Sequence, residues 1–200
     1  MKLLNVGCGG QRPPGPTWVN LDELRKQLIV GSPERTNLDA EDNYVEHTLL
    51  EGGPMPFKEE FDGVLIQHVV EHFTCHDAVT ILKDCRRVLK PGGIIAISVP
   101  NAAYFLEVYE QDTVESSVKL FGEPMPGEWY SRFFDFALFF EFHKQVLTFD
   151  SLRCLALKAG FTLDGFRLAL APHGIQWDVV AELKKQFNRL MFSTILWCAK

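Results

Sequence analysis

Along the first half of the chain, apolar residues gather into short runs separated by polar or glycine-rich breaks. Leu3-Leu4-Asn5-Val6 is closed by Gly7, and Trp18-Val19-Asn20-Leu21 by Asp22. Further runs lie at Tyr44 to Leu49, Gly63 to Gln67 and Ile94 to Val99. Unbroken runs rich in Ile, Val and Leu predict strands buried on both faces, as in a parallel sheet. Between the fourth and fifth runs the spacing turns helical. Over residues 77–89, Ala78, Ile81, Leu82, Cys85, Val88 and Leu89 share one stripe, and Lys90-Pro91-Gly92-Gly93 stops it. Strand, helix, strand in this span is a parallel crossover unit.

Downstream, Thr148 is placed to cap a helix carrying Leu152, Leu155, Ala156 and Ala159 and closed by Gly160. Phe161 to Ala171 reads as a strand, Asp178 to Leu190 as a helix, and Phe192 to Ala199 as a final strand. The alternation predicts an α/β sandwich with a mostly parallel sheet, in one domain over residues 1–200. Between the first two runs, Gln11 to Thr17 contains Pro13, Pro14, Gly15 and Pro16. That segment is too short and broken for a first crossover helix. A long insertion at about 102–147 follows the fifth strand and reads as a lid. Its Phe133, Phe134, Phe136, Phe139, Phe140 and Phe142 read as lid core, and exposed they would form a homodimer contact or an apolar substrate wall.

Composition narrows the partners. A net charge of -6 over 200 residues disfavours a nucleic-acid backbone, which needs clustered Lys and Arg. Lys83, Arg86, Arg87 and Lys90 come closest to a basic cluster, but their helical spacing reads as a solvated face. The 5 cysteines are scattered and form no C-x-x-C pair, which suits a reducing compartment and offers no zinc or redox motif. The amino-terminal apolar run is too short for a signal peptide, and no stretch reaches the roughly 20 apolar residues of a membrane helix. A soluble cytoplasmic protein is expected.

The candidate chemistry sits at strand ends. In open α/β sheets ligands bind beyond the carboxyl ends of the strands, where strand order reverses. The loop after the first strand is Gly7-Cys8-Gly9-Gly10, whose glycines let backbone approach a ligand. Asp22 ends the second strand, where a carboxylate can accept from two ribose hydroxyls.

Leu4 to Gly9, Trp18 to Asp22, Phe61 to His72, and Arg87 to Gly93 running into Ile95 to Asn101 together resemble the class I S-adenosylmethionine-dependent methyltransferases. His143-Lys144, Thr148, Leu152 and Ala159-Gly160-Phe161 are similar to the small-molecule branch of that family, methyltransferase type 11. The resemblance implies a Rossmann-like three-layer sandwich with seven strands, the last antiparallel, and S-adenosylmethionine as cofactor. It implies that Val6, Gly7, Cys8 and Gly9 hold the methionine part, Asp22 the ribose, and Thr48 and Leu49 the adenine, with Gln67 and His68 facing cofactor and substrate. Three positions depart from the family pattern. Asn5 stands where an acid is usual, Gln11 where a third glycine is usual, and Thr48 where an acid often receives the adenine amino group. Arg12 is a candidate to pair with the methionine carboxylate in place of the missing helix N-terminus.

The activity this implies is methyl transfer to a small-molecule O or N acceptor, with His143 favoured as general base and His68 as the other candidate. The alternative from another class is a noncatalytic S-adenosylmethionine-binding partner subunit. DNA methylation is disfavoured, because strand four ends in Gln67-His68-Val69 with neither a Pro-Pro-aromatic motif nor a Pro-Cys nucleophile. A remote competing reading takes His68-Val-Val-Glu71-His72 as an H-x-x-E-H zinc hydrolase motif. That motif needs a long helix carrying both histidines, whereas a buried run immediately precedes His68, and no metal site is assigned.

Overall fold

The computed structural model describes residues 1–9, 12–23, 43–101, 143–162, 175–186 and 193–200. Its strands are β1 (Leu3–Val6), β2 (Trp18–Asp22), β3 (Tyr44–Glu46), β4 (Phe61–Gln67), β5 (Leu89–Pro100) and β6 (Ser193–Ala199). Its helices are α1 (Cys75–Val88), α2 (Phe149–Lys158) and α3 (Ile175–Lys184), with a 3-10 turn at Val70–His72. The sheet order is β3-β2-β1-β4-β5-β6, parallel throughout except for the antiparallel pair β5–β6. The α/β architecture and the antiparallel final strand therefore match expectation. Six strands are described where seven were expected. The missing strand, Phe161 to Ala171, falls mostly outside the described residues, although Thr162 at its start bridges antiparallel to Ala199. The lid-like insertion and its aromatic run, up to residue 142, also lie outside them.

Alternation along each strand sorts its side chains into two layers. Leu4, Val6, Val64, Ile66, Ile95, Ile97 and Val99 pack with Ile81, Leu82 and Cys85 of α1 and Leu152 and Leu155 of α2. Leu3, Trp18, Leu65, Ile94 and Ala96 point the other way, onto Val179, Val180 and Leu183 of α3. Each fully buried side chain of this kind contributes about 1.5–3 kcal/mol, enough to clamp helices to both faces. Cap chemistry sets the helix starts. Thr74 accepts from Asp77 N–H ahead of α1, and Thr148 with Ser151 forms a capping box ahead of α2.

Two details differ from the sequence reading. Helix α1 stops at Val88, and Leu89 to Gly93 is not a bare turn but a bulged entry into β5, with the register slipping between Phe61 and Gly63. The basic residues there are engaged rather than merely solvated. Arg86 donates to Gly160 O, Arg87 to Met55 O and Phe57 O, and Lys90 to Asp62.

Between β1 and β2 the described residues contain no helix, in agreement with the proline-rich sequence. Asn20 explains how that loop is held. Its side chain donates to Pro13 O at 3.2 Å and accepts from Asn5 Nδ2 at 3.3 Å. Buried amides in adjacent strands thus replace the packing a crossover helix would provide, and Asn5 is part of the arrangement.

Candidate functional site

Strand order reverses around β1, with β2 on one side and β4 on the other, so a crevice opens beyond the carboxyl ends of β1 and β4. Gly7 begins the turn out of β1 at φ 66°. Its amide and that of Cys8 donate to Leu21 O at 2.8 and 3.2 Å. A Cβ at Gly7 would sit 2.3 Å from Val69 Cγ2, so the turn passes against the segment after β4 where only glycine fits. Gly9, at φ 51°, has nothing within 4 Å of where its Cβ would lie. Its amide donates to Asp22 Oδ2 at 2.7 Å. The acid that ends β2 therefore clasps the glycine loop of β1.

Asp22 is 9% exposed, and its backbone carbonyl accepts from His47 N–H at 2.9 Å and Tyr44 O–H at 2.8 Å. The Arg12 guanidinium stacks on Tyr44 with its carbon 4.0 Å from the ring centroid. Burial, with the nearby Asp22 charge, pushes the Cys8 thiol and the Tyr44 phenol each up to about 12, so both are neutral at physiological pH.

A cavity of about 370 Å³ occupies the crevice. Gly7, Leu21, Asp22, Glu23, His47 and Leu49 wall one side, and His68, Val69, His72 and Phe73 the other. The size and the apolar walls with a few polar groups suit a small ligand. His68 follows β4 at φ 53°, a region uncommon for residues other than glycine. Its amide donates to Ser98 O at 2.9 Å, extending the β4–β5 pairing by one step. Its ring is gripped from both ends. Nε2 lies 2.9 Å from Ser193 Oγ of β6, and Nδ1 lies 3.3 Å from Glu71 Oε1.

The residues singled out from sequence distribute unevenly. Gly7, Asp22, Leu49 and His68 line the cavity. Val6, Cys8 and Gly9 shape the loop behind it, with Val6 and Cys8 buried. Arg12 stands over Tyr44, on the β2–β3 side of the clasp. Thr48 and Gln67 are not among the lining residues; Thr48 O accepts from Gly52 N–H, and Gln67 pairs with Ser98 in the sheet. His143 is also outside the lining and packs edge-on against His72, with ring centroids 4.6 Å apart. The zinc-hydrolase arrangement is not formed. His68 precedes a 3-10 turn of 3 residues, so no helix carries both His68 and His72.

The sequence reading passed over Glu23, His47, Val69 and Phe73 as site residues. Glu23 and His47 follow the ends of β2 and β3, so the rule that found Asp22 would have found them. Val69 had no signal, because only folding puts it against Gly7.

Residues 4–97 match the methyltransferase domain family. The chain is 34% identical over 107 residues to a ubiquinone biosynthesis O-methyltransferase of Dinoroseobacter shibae, covering 50% of this chain and 42% of that protein. It is 30% identical over 129 residues to the mitochondrial ubiquinone biosynthesis O-methyltransferase of Homo sapiens, covering 59% of this chain and 34% of that one. The chain thus spans about two fifths or less of the length of these curated relatives. A solved S-adenosylmethionine-dependent methyltransferase from Archaeoglobus fulgidus shares the fold at a TM-score of 0.54 and 17% identity, over 100% of this chain and 86% of its own. Residues 4–97 are thus similar to the methyltransferase domain family, and the chain shares the fold of solved S-adenosylmethionine-dependent methyltransferases.

Proposed function

We propose that this chain binds S-adenosylmethionine in the crevice beyond β1 and β4 and transfers its methyl group to a small-molecule acceptor. The observation that carries the reading is the clasp between Gly9 N–H and Asp22 Oδ2 at the mouth of the 370 Å³ cavity. Two left-handed glycines leave a backbone surface open to a ligand, and a carboxylate beside it has lone pairs for a diol as well as for the Gly9 amide. Val6, Gly7, Cys8 and Gly9 hold the methionine part, Asp22 the ribose, and Leu49 with Thr48 the adenine. His47 adds a polar wall next to Asp22, and its buried Nε2 has no hydrogen-bond partner among the described residues. Arg12 serves the methionine carboxylate from its place over Tyr44, because stacking occupies the guanidinium face and leaves its edge N–H groups to donate. The bound donor supplies a methyl group on a sulfonium, and the protein's part is to align the acceptor and handle its proton, alignment being worth roughly 7–11 kcal/mol in good geometry.

A hydroxyl acceptor is favoured over an amine by the relatives, which are named O-methyltransferases. Such an acceptor needs a base, and His68 is the histidine of the two candidates that lines the cavity. Purified chain, labelled S-adenosylmethionine and a panel of phenolic and catecholic acceptors test the reading. Transfer to one of them is the expected result; cofactor binding with no transfer to any acceptor would favour the noncatalytic partner subunit instead. Once an acceptor is in hand, His68→Ala is expected to lower kcat more than His143→Ala does, with S-adenosylmethionine affinity changed little by either. The reverse order would return the role of base to His143.

A further inference from the structure

A second cavity, of about 440 Å³, shares Leu49 with the crevice as a wall. It lies between helix α1 and the segment joining β3 to β4, where the chain makes turns and no crossover helix. Leu49, Leu50, Pro54, Met55 and Ile81 supply apolar surface, and the volume is in the range that takes a small ligand. The walls are fixed in place. Asp84 Oδ2 of α1 accepts from Met55 N–H at 2.6 Å, and Arg87 donates to Met55 O at 2.8 Å and to Phe57 O at 2.6 Å. Both backbone groups of Met55 are therefore fastened to the helix. Leu50 stands at φ 69°, a region uncommon for residues other than glycine. Its turn is held by Gly52 N–H donating to Thr48 O at 2.9 Å and Gly53 N–H to Leu50 O at 3.0 Å. Such strain persists only where the surroundings over-determine it, so the loop does not simply close onto the helix.

Charge narrows what the cavity would take. Thr80, Lys83, Asp84 and Arg87 line it at helical spacing along one stripe of α1. Asp84 and Arg87 answer each other in an ion pair. Lys83 is exposed and has no ion pair or hydrogen bond among the described residues. The uncompensated charge among the lining side chains is therefore positive. We propose that this cavity is an effector site for a small apolar molecule carrying an anionic group, its body against Leu50 and Ile81 and its anion at Lys83. The link to the cofactor, though not the site itself, rests on the methyl-donor reading above. As a wall of both cavities, Leu49 has open space on two sides. A ligand packed behind it removes its freedom to swing out of the crevice, so the face that meets the adenine is already formed when the cofactor arrives. A protein whose competent state is more populated binds more tightly in proportion. Occupancy thus tightens cofactor binding, and the cofactor tightens the effector by the same factor.

The probe for the test is 1-anilinonaphthalene-8-sulfonate, an aromatic sulfonate that brightens when it leaves water. Added to the wild-type chain, it is expected to shift the backbone amide NMR signals of residues 49–55 and 80–87. Lys83→Glu is expected to weaken dye binding by about three- to tenfold, the scale of one exposed ion pair lost and a repulsion gained. Thr80→Trp, which fills the mouth from an exposed position on α1, is expected to abolish it. Amide shifts confined to the ends of β1 and β4, or a dye affinity unmoved in both variants, overturn the site. With the dye saturating, S-adenosylhomocysteine is expected to bind the wild-type chain about fivefold tighter or more, and Thr80→Trp is expected to lose that gain. Dye seated against α1 with S-adenosylhomocysteine affinity unmoved overturns the effector role. A chain that ignores S-adenosylhomocysteine with or without dye overturns the cofactor reading and the effector role with it, while the amide shifts still decide the site. The two failures are thereby told apart.

Discussion

Asp22→Ala is expected to lose S-adenosylhomocysteine affinity by one to several orders of magnitude while remaining folded. The carboxylate accepts from Gly9 N–H at 2.7 Å and stands at the cavity wall where a ribose diol would reach it. A hydrogen bond to a charged group is worth about 1.5–3 kcal/mol, and each 1.4 kcal/mol is roughly tenfold in affinity. The alanine variant removes the diol acceptor and also releases the glycine loop, so two losses add. Folding survives because the strand is pinned by backbone bonds on both sides, to β1 and β3. Asp22→Asn keeps the shape and one acceptor oxygen, and should fall between wild type and alanine. Calorimetry and a thermal melt on the same samples check both halves. Unchanged affinity in the alanine variant would mean that the nucleoside lies elsewhere.

The two glycines of the loop separate stability from binding. Gly7→Ala carries a left-handed backbone, costing about 1–2 kcal/mol, and a Cβ driven 2.3 Å from Val69 Cγ2, adding about 1–3 kcal/mol of overpacking. A loss of about 2–5 kcal/mol is expected, seen as a clear fall in Tm. Val69 cannot yield easily, because it is β-branched and buried in the core beneath the cavity. Gly9→Leu bears the backbone cost alone, since nothing lies within 4 Å of its Cβ. Its side chain would instead enter the space beside the clasp, so it should melt below wild type but above Gly7→Ala, and bind S-adenosylhomocysteine poorly. Equal melting temperatures for Gly7→Ala and wild type would show that the β1 turn does not press on Val69.

Much of this was legible in the sequence, for identifiable reasons. Apolar-rich runs gave β1 and β2 at their observed limits, because strands buried on both faces carry few polar positions, here Asn5 and Asn20, which pair with each other. Thr148 announced α2, since capping is local chemistry, and Ser151 completes its capping box in the structure. Asp22 and the glycine loop followed from the rule that ligands meet strand ends. What the sequence could not show depends on contacts between distant segments. Gly7 meets Val69 across a long stretch of chain, and His68 meets Ser193 across a longer one. Arg12 read as a carboxylate partner because guanidinium groups often are, and its stacking on Tyr44 was not legible in the sequence. His143 read as a base approaching over the acceptor, and its contact with the His72 ring joins distant segments and had no signal in the sequence.

The central claim is that the crevice beyond β1 and β4 is a site for S-adenosylmethionine. Isothermal calorimetry of the wild-type chain with S-adenosylhomocysteine tests it most directly, because binding needs neither an acceptor nor turnover. One site per chain, weakened in Asp22→Ala and Gly9→Leu, is the expected result. Wild-type protein that is folded by its melting curve and gives no binding heat with either S-adenosylhomocysteine or S-adenosylmethionine at millimolar concentration would contradict it.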